Sequence, residues 1–120
     1  LLAQSGPEAR RSAFLRTGFT DSFLTSAHIR ARIDLWSAAT AHPAVAETER
    51  ALYAHYRQSL QDLLQPVVPQ GRIIRLADTI MATPDGLWLD WMRRRDRQAV
   101  EHGLTVIEDL IRIEGKRDEA

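Results

Sequence analysis

Apolar residues recur along most of this chain at three- and four-residue intervals, the spacing that lays them along one face of an α-helix. Ala9, Ala13, Phe14 and Leu15 follow it first. Ahead of them, Ser5-Gly6-Pro7-Glu8 has the composition of a capping box, with an N-cap serine, a proline suited to the first turn and a glutamate placed to return a hydrogen bond. The pattern predicts a helix from Pro7 to about Phe19, where Gly18 and Thr20-Asp21-Ser22 weaken it. A second stripe of Phe23, Ala27, Ile29, Ile33, Trp36 and Thr40 ends at His42-Pro43, because proline disfavours helical geometry in the residue before it. Pro43 can then open a third helix, whose stripe is Val45, Leu52, Tyr56, Leu60 and Leu63 and which stops at Gln65-Pro66.

The segment Pro66-Val67-Val68-Pro69-Gln70-Gly71 is the clearest linker. From Arg72 a fourth helical pattern runs through Ile73, Leu76, Ala77, Ile80, Met81, Leu87, Trp88, Trp91 and Met92, interrupted by Pro84-Asp85-Gly86. Proline removes a backbone donor and clashes with the carbonyl four residues earlier, that of Ile80, so the helix must kink or stop there. Local physics alone favours the stop. A last helix can be capped by Asp96 and carries Val100, Leu104, Ile107, Leu110 and Ile111, with Gly103 a weak point and Gly115 a plausible end. No run alternates with the period of a strand. The expected fold is all-α, with five or six antiparallel helices.

Composition narrows the function more than the fold. A chain of 120 residues suits one domain that gains from oligomerising. Sixteen basic and sixteen acidic residues give a net charge of +0, which argues against a surface built to neutralise phosphates. The cluster Arg93-Arg94-Arg95-Asp96-Arg97 falls at a helix junction and reads as a solvated connection. With no cysteine there is no disulfide, thiolate nucleophile or cysteine-based zinc site, which suits a cytoplasmic protein. His28, His42, His55 and His102 lack metal-ligand spacing, so no metal or other cofactor is expected. No nucleophile–base pair or glycine-rich phosphate loop is visible, and an enzyme is not expected. No apolar run approaches the ~20 residues of a membrane span, and Leu1-Leu2-Ala3-Gln4-Ser5 is not a signal peptide.

Residues 27–43, with Trp36 near their centre and Ala41-His42-Pro43 at their end, together with Asp85-Gly86-Leu87-Trp88-Leu89, resemble the C-terminal domain of TetR-family transcriptional regulators, in particular the choline-responsive BetI type. The resemblance runs from about Pro7 to Glu114. It implies that Asp85–Leu89 lies within the penultimate long helix, which favours a kink at Pro84 over a stop. It also implies that the last two helices pair with those of a second copy as a four-helix bundle. On that reading Leu89, Trp91, Met92, Val100, Leu104, Ile107 and Ile111 form the homodimer interface, with the chain's own core as the alternative use of these stripes. Such regulators carry an N-terminal helix-turn-helix, so operator DNA would be reached only through a domain expected upstream of Leu1. Effector binding would shift the spacing of the two DNA readers.

Pockets for small molecules are apolar, with few polar groups. Phe23, Trp36, Tyr53, Tyr56, Met81 and Trp88 are the candidate lining, each with core packing as its alternative use. An apolar or quaternary ammonium effector would suit these rings, with Asp85 or Asp34 as the carboxylate. Asp85 could equally serve a local turn. The competing function is a helical protein-interaction module without a small-molecule ligand.

Overall fold

The computed structural model describes residues 6–117, and among them every regular element is helical. The helices are α1 (Pro7–Arg16), α2 (Ser26–Ala41), α3 (Pro43–Leu64), α4 (Gln70–Arg94) and α5 (Arg97–Gly115), with a 3-10 turn at Thr17–Phe19 after α1. Pro7 occupies the first turn of α1 as its fixed φ favours, and Gly6 precedes it without a side-chain cap. The serine expected as the cap, Ser5, lies outside the described residues.

Most boundaries follow from local chemistry. The Thr25 side chain accepts from the His28 amide to start α2, three residues later than Phe23 suggested. His42 is extended and separates two helices with no further linker, because the residue before Pro43 avoids helical geometry. Asp96 caps α5 by accepting from the amides of Gln98 and Ala99. Arg95, just before it, adopts a left-handed backbone with φ of 56° and closes α4. Three of the four arginines here have partners among the described residues. Arg94 pairs with Asp90, Arg95 lies over the Trp91 ring, and Arg97 pairs with Asp21 and donates to the Phe19 carbonyl.

Pro84 does not divide α4. The helix runs unbroken from Gln70 to Arg94, so the stop favoured by local physics does not occur. Packing on α5, α3 and α2 holds the two halves as one element. α5 likewise passes through Gly103 without interruption.

The core lies where α1, the 3-10 turn, the C-terminal part of α3, α4 and α5 meet. Leu15, Phe19, Leu60, Leu64, Ile80 and Leu104 are among its buried side chains. Each such side chain contributes roughly 1.5–3 kcal/mol relative to exposure. A bidentate pair ties α1 to α5, with Arg16 Nη1 and Nη2 at 2.7 and 3.1 Å from the two oxygens of Glu108. Farther along α2 and α3 the core runs out. Ile33, Leu35, Leu52, Tyr53 and Tyr56 are all exposed. The Cα radius of gyration, 15.5 Å, accordingly exceeds the roughly 13–14 Å of a compact chain of this length.

Candidate functional site

Two helical stripes of mixed chemistry meet where α2 packs on α4. His28, Arg32 and Trp36 follow one another at four-residue intervals on α2, while Met81, Asp85 and Trp88 share a face of α4. Phe19 and Phe23, from the segment before α2, close one end. Phe19 stacks on Trp88 with ring centroids 5.3 Å apart, and Phe23 meets His28 at 4.8 Å.

Trp88 is the fixed point of this seam. It is buried, and its indole Nε1 donates to the Gly18 carbonyl at 2.9 Å. A Cβ placed on Gly18 would lie 2.8 Å from the indole, so only glycine lets the ring approach this closely. The Arg32 guanidinium covers the ring, 4.0 Å from its centroid, in a cation–π contact. Arg32 Nε also donates to His28 Nε2 at 3.1 Å. Desolvation, followed by the charge of Arg32, holds the His28 pKa below its ordinary value, which keeps the ring neutral and able to accept that bond.

Asp85 supplies the opposite chemistry. Its carboxyl is half-buried and forms no ion pair with a described residue. Burial pushes its pKa up, Arg32 pulls against that, and Glu49 of α3 adds a smaller upward push. The seam thus combines one guanidinium, two carboxylates, a neutral imidazole and an indole wall. Both faces of the indole are covered, by Phe19 and by Arg32, so the polar groups of the seam lie beside an already stacked ring.

The seven residues expected to contact a ligand are not all together. Trp36 and Met81 are half-buried and pack against the core, and Asp85 and Trp88 complete the seam. Phe23 is 37% exposed at its edge. Tyr53 and Tyr56 are 43% and 50% exposed on α3, and Tyr56 packs edge-on against its neighbour His55. Asp34, the alternative carboxylate, is exposed. Arg32 and Glu49 were not anticipated. The four-residue steps from His28 to Arg32 to Trp36 were the available signal for the first; for Glu49, which acts from another helix, there was none.

The residues expected at a dimer interface divide as well. Val100, Leu104, Ile107 and Ile111 are buried in the chain's own core, and Trp91 and Met92 pack against it. Leu89 is exposed, as are Val106 and Ile113 of α5, which lie seven residues apart on one helical face.

Two concavities lie away from the seam. One, of about 510 Å³, is bordered by α4 and α5 and lined by Arg72, Arg75, Leu76, Thr79, Leu110, Glu114 and Arg117. The other, about 20 Å³, lies between α1 and α5 near Ser12 and Glu108. No described helix is long and apolar enough to cross a membrane.

A family model described as "BetI-type transcriptional repressor, C-terminal" matches residues 7–114, nearly the whole chain. No curated protein and no solved structure gives a significant match.

Proposed function

Because the chain belongs to the TetR family, as the C-terminal domain of a BetI-type transcriptional repressor, we propose that it senses a small-molecule effector in the seam between α2 and α4. Domains of this family regulate transcription, bind effectors and dimerise. In the proposed scheme the liganded state passes through a homodimer to a helix-turn-helix domain that reads operator DNA. The cytoplasm is the compartment this role requires.

The observation that carries the reading is the half-buried carboxyl of Asp85, without an ion pair among the described residues, in the same seam as the Arg32-covered indole of Trp88. A carboxylate kept from water without a partner costs stability unless something uses it. A small apolar molecule with one polar or cationic group would give Asp85 that use while packing on Trp36 and Met81.

For the homodimer, Leu89 of α4 and Val106 and Ile113 of α5 are uncovered apolar side chains, with Met92 one turn along from Leu89. A two-fold pairing would cover these residues while leaving the buried stripe of α5 in its own core.

Tryptophan fluorescence during a metabolite screen tests the sensor. At least one small apolar or cationic compound should give a saturable change that Asp85→Asn weakens. Silence across a broad screen would favour a protein-interaction module instead. The exposed Leu52, Tyr53 and Tyr56 on α3 favour that second reading, since rings and aliphatics left uncovered can dock a partner.

A further inference from the structure

The larger concavity, at the end of the bundle where α4 begins and α5 finishes, has a charge balance that the sensor reading does not use. α5's last residue lies hard against the connection between α3 and α4. A Cβ on Gly115 would fall 2.5 Å from the Val67 carbonyl oxygen. This close approach sets Glu114 and Arg117 beside the first turns of α4, which bring Arg72, Arg75 and Thr79.

Three guanidinium groups therefore border the groove against one carboxylate. Glu114 is shared, accepting from Arg72 Nη1 at 3.3 Å and pairing with Arg117 Nε at 2.7 Å. One carboxylate cannot satisfy two guanidiniums of five donors each. Arg72 Nε is buried and has no hydrogen-bond partner among the described residues, an arrangement that costs free energy unless an acceptor reaches it. Arg75 forms no ion pair with a described residue. The groove, about 510 Å³, leaves room for a small solute.

We propose that this groove binds a small oxyanion, a phosphate or carboxylate group, between Arg72, Arg75 and Arg117. The planar forks of arginine match both groups in bidentate geometry, and a turn of the Arg72 side chain toward the anion would also give its orphaned Nε an acceptor. Thr79 adds a hydroxyl to the wall. The site is separate from the seam. Thr79 and Asp85 are six residues apart on α4, roughly 9 Å along the helix, and Arg72 is farther still.

The test follows the arginine Nε–Hε signals of the whole chain by heteronuclear NMR. Inorganic phosphate and citrate are titrated separately, each against chloride at matched ionic strength. The Arg72 signal should shift saturably with at least one of them. Phosphate alone would assign a phosphoryl ligand, citrate alone a carboxylate ligand, and both the shared chemistry. Arg75→Gln, at an exposed position that leaves the fold intact, should weaken binding about two- to fivefold, and Arg117→Gln similarly. Shifts that never saturate, that chloride reproduces, or that neither substitution changes would overturn the assignment.

Discussion

Replacing Pro84 with alanine should stabilise this domain. Pro84 lies inside α4 and offers no amide to the Ile80 carbonyl. Proline costs about 3 kcal/mol relative to alanine in a helix interior. Two effects reduce the gain. The alanine chain is freer when unfolded, which takes back about 0.4–1 kcal/mol. Pro84 is also half-buried, and each ring methylene lost from a covered position gives up about 0.8 kcal/mol, scaled down by partial exposure. The net is about 1.5 kcal/mol in favour of the variant. For a chain of this size that corresponds to a rise in Tm of about 5–9 °C. Thermal unfolding followed by circular dichroism measures it, at one protein concentration because dimerisation would shift both transitions. An unchanged or lower Tm would refute the reasoning. It would mean that α4 carries Pro84 without a strained turn or a wasted carbonyl.

Three further outcomes follow from named contacts. Burial tends to raise the Glu108 pKa, but hydrogen bonds from Arg16 and Ser12 and the charges of Arg16 and Arg112 outweigh it and leave the group below its ordinary value. Its contribution to stability is therefore present above the unfolded pKa and lost as pH falls through the folded one; Glu108→Gln should cost about 1 kcal/mol in neutral urea titrations and little in acid. Asp85 has the opposite sign, because a raised folded pKa penalises the ionised form as pH rises past the ordinary carboxylate value; Asp85→Asn should melt higher than the parent at neutral pH, and curves that differ equally at acid pH would argue against the burial effect. Leu89→Arg, on the exposed side of α4, should halve the mass seen by light scattering at micromolar concentration while the helical spectrum persists; an unaltered mass would place the pairing face elsewhere.

What could be read from the residues alone depended on how local the cause was. The caps at Asp96 and the division at His42-Pro43 are decided by one or two side chains, and both stand where the pattern put them. Pro84 is a case where tertiary packing overrides a local preference, so the family resemblance foresaw a continuous α4 better than helix physics did. The periodicity of Val100, Leu104, Ile107 and Ile111 announces an apolar face without naming what covers it, and here α5 spends that face on its own chain. Arg32 was hidden for a similar reason. A charged residue on an amphipathic helix reads as solvated until a second helix places an indole beneath it.

Under the proposed sensing role, that same arginine would set terms for an effector entering the seam. The face of Trp88 is already taken by a cation that the chain carries on a tether. A positively charged effector seeking this face meets a rival at high effective concentration, and its apparent affinity falls by the fraction of time Arg32 stays seated. An effector that leaves the indole alone and engages Asp85 escapes that competition, and one bearing a negative group would recruit the rival as an ally. Selectivity at this site would then rest as much on how easily Arg32 leaves as on the shape of the walls.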